Sequence, residues 1–214
     1  MLLNSFNKKL PLIRGFTLTE LMVSMGIVAS IISIIVLRQD DYTEGVALQN
    51  QAADIGLSIR EAQTYGISVK QFTPGSGEEF PPGYGVEFDI TGAGSKSAYI
   101  LFADRNGDGI YSTDWACTPS SSSECIEKPG LILGNQIDEN GLCYVQTSTE
   151  TCIGVGAVVI TFVRPETNAI FKFYSTGGLL MSPTGVIGAK IKLISPGGLK
   201  KSVLIHSSGQ VSIQ

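Results

Sequence analysis

The pattern of apolar and polar positions divides the chain into three parts, and the first is a long apolar run. From residue 16 to residue 37 the side chains are almost all apolar, and Glu20 is the only ionisable one. An α-helix over this run is about 33 Å long at ~1.5 Å per residue, which is enough to cross a bilayer. The sequence therefore predicts a membrane-spanning helix over residues 16–37.

The second part, residues 38–72, has a helical period. Apolar side chains recur at intervals of mostly three or four residues, with polar side chains on the other faces. The members of this stripe are Val46, Ala52, Ile55, Ile59, Ala62 and Tyr65. The stripe predicts that the helix continues to about Tyr65 and packs on a sheet. Gly45 and Gly56 weaken the prediction of an unbroken helix, because each costs roughly 1 kcal/mol relative to alanine.

The third part, residues 73–214, begins with a loop rich in proline and glycine and then changes to a period of two. Segments rich in β-branched and aromatic residues predict strands, and the last of these forms a hairpin with residues 211–213. The predicted strands cover residues 86–90, 98–102, 157–163, 169–174, 187–194 and 202–205. A long N-terminal helix packed on an antiparallel sheet predicts an α+β fold, with one β-rich domain over residues 73–214.

The distribution of charge indicates how the predicted helix is oriented. Residues 1–15 carry Lys8, Lys9 and Arg14 and no acidic side chain. Basic residues favour the cytoplasmic side of a membrane, so the C-terminal domain is expected outside the cytoplasm. The remaining 12 basic side chains face 19 acidic ones, a formal charge of −7 without the leader. An acidic domain with no basic run argues against direct nucleic-acid binding.

The basic leader differs from an ordinary secretory signal in its layout. A secretory signal places a small-residue cleavage site after its apolar core, and that core is discarded on cleavage. No such site follows the apolar run here, and Gly15 instead lies between the basic residues and the run. A cut after Gly15 would remove residues 1–15 and keep the apolar helix.

The stretch Gly15-Phe16-Thr17-Leu18-Thr19-Glu20, set between a basic leader and an apolar helix, resembles the prepilin peptidase motif of type IV pilins and type II secretion pseudopilins. The resemblance implies cleavage after Gly15, N-methylation of Phe16, insertion in the inner membrane, and later packing of the helix among other subunits in a filament core. It also implies that Glu20 pairs with the terminal amine of a neighbouring subunit. The strand order and the terminal hairpin are similar to the minor pilin and minor pseudopilin branch. The expected function is a structural subunit of a type IV pilus, a DNA-uptake pilus or a type II secretion pseudopilus.

A local role for Glu20 is also open. Thr17 and Glu20 have the spacing of a capping box, in which the two residues satisfy free amides at the start of a helix. An acid in the first turn is also favoured by the helix dipole.

Farther along, Gly26 and Ser30 have the small-x-x-x-small spacing of closely packed membrane helices. The alternative is a lone signal anchor whose small residues face lipid.

An acidic segment after the second predicted strand is a candidate calcium loop. Its first six residues match the D-x-[DN]-x-[DN]-G start of an EF-hand loop, in which alternate oxygens converge on a hard cation. Trp115 stands where that loop has a bidentate glutamate, so an earlier acid would have to complete the coordination shell of the ion. The candidate ligands are Asp104, Asn106, Asp108, Ile110 through its carbonyl, and Asp114. The alternative is a tight turn without metal, which Asn, Asp and Gly favour by themselves.

The four cysteines all follow the apolar run. An even count in an exported domain predicts two disulfides, for which three pairings exist. The simplest joins Cys117 to Cys125 and Cys143 to Cys152, since each bond closes a short loop. Zinc is the alternative, although the spacings contain no C-x-x-C pair.

Motifs for catalysis are missing from the sequence. His206 is the only histidine, and no nucleophile elbow, zincin motif or phosphate-binding loop is present. We therefore expect neither an enzyme nor an organic cofactor. The second functional hypothesis is a signal-anchored, calcium-stabilised extracytoplasmic domain that binds a ligand and does not polymerise. Retention of residues 1–15 in the mature protein would favour it.

Overall fold

The structure is a computed structural model that describes residues 15–73, 79–92, 94–113, 115–118, 120 and 122–214. The predicted leader up to Arg14 lies outside the described residues, as does the candidate ligand Asp114. The chain divides into two compact units, Met1–Tyr42 and Thr43–Gln214. The second unit holds every strand.

Among the described residues there is one helix, α1, which extends from Leu18 to Ile67. Gly45 and Gly56 lie within it and do not break it. The helix ends two residues beyond the predicted Tyr65, so residues 68–72 of the predicted amphipathic segment are not helical. Between Leu18 and Val36 the helix is apolar and long enough to cross a membrane. The prediction of a helix with the dimensions of a membrane span is thus confirmed, beginning at Leu18 rather than at residue 16.

Eleven strands follow the helix in the described part of the chain. They are β1 (Gly83–Asp89), β2 (Ile100–Asp104), β3 (Cys125–Glu127), β4 (Gln136–Gln146), β5 (Glu150–Thr151), β6 (Val155–Val163), β7 (Ala169–Ser175), β8 (Leu180–Met181), β9 (Val186–Ile194), β10 (Lys200–His206) and β11 (Val211–Ile213). They form a six-stranded sheet in the order β3-β2-β1-β6-β7-β8 and a five-stranded sheet in the order β11-β10-β9-β4-β5. Neighbouring strands pair antiparallel in both sheets. The α+β prediction is confirmed, but the predicted single sheet is replaced by two.

The longest strand, β4, was not predicted. Its pairing with β9 is interrupted between Ile137 and Leu142, where the intervening polar residues bulge out of register. A side chain at Gly141 would meet the carbonyl oxygen of Lys192 at 2.6 Å, so only glycine allows the two backbones to approach so closely. A strand that contains Asp-Glu-Asn-Gly has the sequence of a turn, which explains why the period-two pattern does not reveal it.

The main core lies between the C-terminal half of α1 and the two sheets. One face of the helix is fully buried there, at Leu48, Ala52, Ile55, Ile59 and Ala62. These side chains belong to one cluster with residues of the six-stranded sheet, including Val86 and Val158, and of the five-stranded sheet, including Ile191 and Val203. The predicted member Val46 is 43% exposed, and Leu48 takes its place because the buried positions follow a strict alternation of four and three residues.

A smaller cluster covers the outer face of the six-stranded sheet. Its buried members are Ile100 and Phe102 of β2 and Val159 of β6, and the side chains packed on them are Tyr111, Trp115, Cys125 and Tyr174. Tyr111 and Trp115 come from the segment between β2 and β3. This segment includes the candidate calcium loop, which therefore lies against the sheet.

Both disulfides have the simplest of the three possible pairings. Cys117 is joined to Cys125 at the start of β3, with Cα atoms 5.3 Å apart. Cys143 of β4 is joined to Cys152, just after β5, with Cα atoms 4.0 Å apart. The first bond fixes the segment between β2 and β3, and the second fixes the β4–β5 hairpin.

Candidate functional site

The peptide bond between Gly15 and Phe16 lies ahead of the helix, in a segment without regular structure. A side chain added at Gly15 would meet no atom within 4 Å, and the side chain of Phe16 is 79% exposed. Within the described residues, nothing covers this bond. A protease that reaches it would encounter a segment without regular structure immediately before an apolar helix.

Thr17 and Glu20 form part of the predicted capping box. The backbone N–H of Glu20 donates to the hydroxyl oxygen of Thr17 at 3.3 Å, and the same hydroxyl approaches the Glu20 carboxylate at 3.5 Å. The backbone N–H of Leu21 donates to the Thr17 carbonyl at 3.1 Å and closes the first turn. The carboxylate thus has a local partner at the helix start, and it remains exposed enough to accept a second one.

Three serines in the apolar half of the helix have their hydroxyl groups bonded to the helix backbone. Ser24, Ser30 and Ser33 each donate a hydroxyl hydrogen bond to a carbonyl of the preceding turn, at 2.8 to 2.9 Å. Their polar atoms therefore need no water, which lets these small residues face lipid or another helix. A side chain at Gly26 would meet nothing within 4 Å.

Large apolar side chains on this half of the helix are unusually exposed. Each of the following is at least half exposed: Leu21, Met22, Val23, Met25, Ile27, Val28, Ile31, Ile32, Ile34, Ile35 and Val36. A soluble monomer rarely shows a contiguous apolar surface of this extent, because burial of apolar area is favourable. A helix with this surface could cross a membrane.

The candidate calcium loop begins at Asp104, the last residue of β2. Asp104 is fully buried, and its two carboxylate oxygens accept the N–H groups of Gly107 and Gly109, both at 2.9 Å. Burial raises the pKa of Asp104, and the amide hydrogen bonds from Gly109 and Gly107 partly offset that rise. The residue that the sequence places first in the loop therefore holds the turn through the backbone.

The next two candidate ligands, Asn106 and Asp108, are brought together by the structure. The side-chain amide of Asn106 donates to Asp108 Oδ2 at 2.8 Å, and the Ser112 hydroxyl donates to the same oxygen at 3.2 Å. The N–H of Ile110 donates to Asp108 Oδ1 at 2.9 Å. The ammonium group of Lys172 in β7 also donates to the Asp108 carbonyl, so a basic side chain lies against the loop.

Glu124 is a member of this site that sequence spacing does not reveal. It is buried, and its carboxylate oxygens accept the N–H groups of Arg105 at 3.3 Å and Ser112 at 2.8 Å. Burial raises its pKa, while these two amide bonds lower it. The loop is thus closed by an acid that lies within the first disulfide loop, immediately before Cys125, a connection that only the folded chain establishes.

Arg105, at the start of the loop, also binds a residue outside the loop. The guanidinium group of Arg105 donates twice to the carboxylate of Glu79, with both distances 2.6 Å. This bidentate hydrogen bond lowers the pKa of Glu79. It ties the loop to the residue that forms a short bridge with Phe72, just after α1.

The side-chain oxygens of the loop suit a hard cation as ligands, because carboxylate and amide oxygens are the ligands that calcium prefers. The carboxylate oxygens of Asp104 and Asp108 already accept hydrogen bonds, so the turn is held without an ion. Among the described residues, the one group of three potential His, Cys, Asp or Glu ligands with converging atoms is Cys143, Glu150 and Cys152. Its two sulfur atoms are bonded to each other, which removes them as thiolate ligands.

Comparisons of the chain with protein-family models, with curated proteins and with solved structures find no match. The resemblance to type IV pilins and pseudopilins therefore rests on the sequence, on the N-terminal motif and the apolar run behind it.

Proposed function

We propose that the chain is a structural subunit, a minor pilin or pseudopilin, of a type IV pilus, a DNA-uptake pilus or a type II secretion pseudopilus. The observation that carries this proposal is the exposed apolar helix Leu18–Val36, which starts immediately after an accessible Gly15–Phe16 bond and bears one acid in its first turn. A helix of this kind suits two environments in succession. It lies in the inner membrane before assembly, and among the helices of other subunits afterwards.

Glu20 needs a partner for its carboxylate in both environments, the membrane and the proposed filament. A carboxylate costs on the order of 2.5 to 3.5 kcal/mol at the centre of a membrane helix and less toward its ends. The hydroxyl of Thr17, which donates to the Glu20 carboxylate at 3.5 Å, offsets part of this cost in the single chain. In the proposed filament, the amine of Phe16 of a neighbouring subunit supplies the second partner, because cleavage after Gly15 creates a positive charge at that position.

Prepilin peptidase is the proposed processing partner. It would cut after Gly15 and leave the N-methylated Phe16 as the new terminus. The leader keeps the N-terminus in the cytoplasm, and the β-rich domain lies outside the cytoplasm. Two disulfides in that domain fit an oxidising compartment. The proposed role is structural and needs no catalytic residue or organic cofactor.

Weak calcium binding at the Asp104 loop is a second, separate proposal. The presence of two carboxylates and an amide on one turn supports it, and the hydrogen bonds that already hold the turn imply a modest effect of the ion. Extracellular modules of this type bind calcium with a dissociation constant on the order of 10⁻⁴ to 10⁻³ M. Calcium would then stabilise the loop against the sheet.

Coexpression of the full chain with a prepilin peptidase tests the processing step. We expect the intact mass of the membrane-extracted wild type to fall by residues 1–15, and the variant Gly15→Leu to keep its full length, because a branched side chain blocks a cleavage site that requires a small residue. Ser24→Ala, which changes the helix outside the motif, should be cut like the wild type. Full-length mass in all three proteins would contradict the proposal and favour the signal-anchored domain.

A further inference from the structure

A groove with a volume of about 270 Å³ lies between α1 and the segment that follows β3. One wall is a stripe of α1 in which polar residues recur at intervals of three or four, so they share one face of the helix. We call this feature the acidic groove. All of its lining belongs to the second compact unit, and its polar members are Gln51, Asp54, Ser58, Glu61, Tyr99 and Glu127.

Hydrogen bonds join the two walls of the acidic groove. The hydroxyl groups of Ser58 and Tyr99 are hydrogen-bonded at 2.9 Å, and the Tyr99 side chain is buried. Near Gln51, the backbone N–H of Ile132 donates to the Gln51 Oε1 at 3.0 Å. The groove is therefore formed before any ligand arrives. At its size it admits one side chain and a short stretch of backbone, since pockets for whole drug-sized ligands run from roughly 300 to 1,000 Å³.

Three carboxylates border the acidic groove, those of Asp54, Glu61 and Glu127. None of them forms an ion pair with a lysine or arginine in the described part of the chain. Lys128 follows Glu127 directly, but its ammonium group donates to the carbonyl of Trp115 at 2.6 Å. The groove thus carries three negative charges that no described basic side chain neutralises.

The three carboxylates act on the same point, the hydroxyl group of Tyr99. Burial is the main cause that raises the pKa of Tyr99 to about 12; the hydrogen bond with Ser58 opposes the rise, and the charges of the three acids add to it. The carboxylate of Glu61 also accepts a hydrogen bond from the Tyr65 hydroxyl. Like charges that face one depression repel each other, and a cation placed among them would relieve that repulsion.

The spacing of the carboxylates favours an organic cation over a metal ion. Among the described residues, the one group of three potential ligands with atoms within 4.8 Å of one another is Cys143, Glu150 and Cys152. The three acids of the groove are farther apart than that, whereas a calcium ion needs all its oxygen ligands at about 2.3–2.6 Å. A guanidinium group has five N–H donors spread over a planar fork and can bind carboxylates that are farther apart.

Gln51 adds a requirement for a hydrogen-bond acceptor on the ligand. Its side chain is 4% exposed and lines the groove, and its Nε2 donates to no residue within the described ranges. A buried donor without a partner is costly, so a ligand oxygen at this place is favourable. The three acids would repel a carboxylate but not a neutral peptide carbonyl. Leu57, which is 60% exposed beside the groove, offers an apolar contact for the methylene groups of a basic side chain.

We propose that the acidic groove binds a basic segment of another polypeptide. The guanidinium group of an arginine lies among Asp54, Glu61 and Glu127, and a backbone carbonyl of the same segment accepts a hydrogen bond from Gln51 Nε2. The excess of acidic over basic side chains in the chain favours the approach of a basic partner. The interaction depends on the second compact unit alone and does not rest on the proposed filament function.

Titration of the full chain in non-ionic detergent with a short capped peptide tests the proposal. A fluorescently labelled peptide of alanine and glycine with one central arginine is followed by anisotropy at low ionic strength. The same peptide with citrulline, which has a similar shape and no charge, should bind at least about tenfold more weakly, because charged hydrogen bonds are the stronger ones. Butylguanidinium has the charge but no carbonyl, and should compete at least about tenfold less well than the unlabelled arginine peptide.

Two double variants locate the binding site. Asp54→Asn with Glu127→Gln removes two charges of the groove and should weaken binding of the arginine peptide at least about tenfold. Glu139→Gln with Glu166→Gln removes two exposed acids outside the groove and should bind as the wild type does. The thermal midpoint of each variant checks that it is folded. Equal binding of the citrulline peptide, equal competition by butylguanidinium, an equal loss in both double variants, or no saturable binding would each overturn the proposal.

Discussion

Glu44 of α1 accepts hydrogen bonds from the Ser195 hydroxyl at 3.0 Å and from the Gly197 N–H at 2.9 Å. The two donors belong to the turn between β9 and β10, so one carboxylate joins the helix to the five-stranded sheet. A Cβ atom at Gly197 would come within 2.4 Å of the carboxylate, which excludes any larger residue there without movement of Glu44. This contact is one of the points that fix the register of the helix on the β-rich domain.

Glu44→Ala should destabilise that domain. The buried hydroxyl of Ser195 would lose its acceptor, and an unsatisfied buried group costs about 1–3 kcal/mol. Denaturant unfolding of the full chain in detergent measures the change. Gln49→Ala, at an exposed helix position, serves as the control and should unfold within about 0.5 kcal/mol of the wild type. Equal stability of Glu44→Ala and the control would show that the contact is unimportant.

Ile55 and Leu57 test which face of the helix is buried. Ile55 is fully buried in the main core, whereas Leu57, two positions on, is 60% exposed. Ile55→Ala leaves a cavity and should cost about 2–5 kcal/mol. Leu57→Ala removes a similar side chain from the surface and should cost less than about 1 kcal/mol. Thermal unfolding of both variants would contradict the described packing if their losses were equal.

Calcium should raise the thermal midpoint of the full chain if the Asp104 loop binds it. At ten times its dissociation constant, a ligand stabilises the folded state by about 1.4 kcal/mol, which raises the midpoint of a domain of this size by about 3–5 °C. Asp108→Asn keeps an acceptor for the Ile110 N–H but removes a charge, and it should lose most of this increase. Asp54→Asn, on the exposed side of the helix, should keep it. An unchanged wild-type midpoint at millimolar calcium would contradict calcium binding.

The acid Glu150 makes the five-stranded sheet sensitive to low pH. Its carboxylate pairs with Lys190 at 2.8 Å and Lys192 at 2.6 Å. Burial acts to raise the pKa of Glu150, but the hydrogen bonds from the two lysines outweigh it, and the net pKa is lowered. Stability from this pair is therefore present above pH 4.5 and is lost as pH falls through the lowered pKa.

Glu150→Gln should accordingly lose stability at neutral pH, by about 1 kcal/mol or less for a partly exposed pair. The difference from the wild type should shrink as the pH of the unfolding experiment falls below 4.5. Glu139→Gln, whose pair with Lys96 is exposed, is the matched control and should differ little at any pH. A difference that stays constant as the pH falls would show that the charge of Glu150 does not stabilise the fold.

The α+β class and the N-terminal helix could be predicted because both depend on local patterns. A run of apolar residues determines the span, and the spacing of Ala52, Ile55, Ile59 and Ala62 determines the buried face. The assignment of Val46 to the buried stripe was wrong. Val46 lies six residues before Ala52, whereas Leu48 lies four residues before it and continues the alternation of four and three residues. The simplest disulfide pairing was also correct, since short loops close more easily than long ones.

The division into two sheets and the surroundings of the acidic loop could not be predicted in this way. Strand β4 contains a polar bulge that resembles a turn, so its membership of a second sheet depends on pairing with β9, far along the chain. Glu124 accepts a hydrogen bond from Ser112 of the acidic loop only because the disulfide loop folds back toward it.

N-terminal tandem mass spectrometry of the native protein tests the central claim most directly. The chain is analysed separately from membranes and from filaments sheared from the cells. The proposed filament subunit predicts a chain that begins at N-methylated Phe16 and is present in the sheared fraction. A chain that begins at Met1 and stays wholly in the membrane fraction would contradict it, and would leave the signal-anchored binding domain as the account to develop.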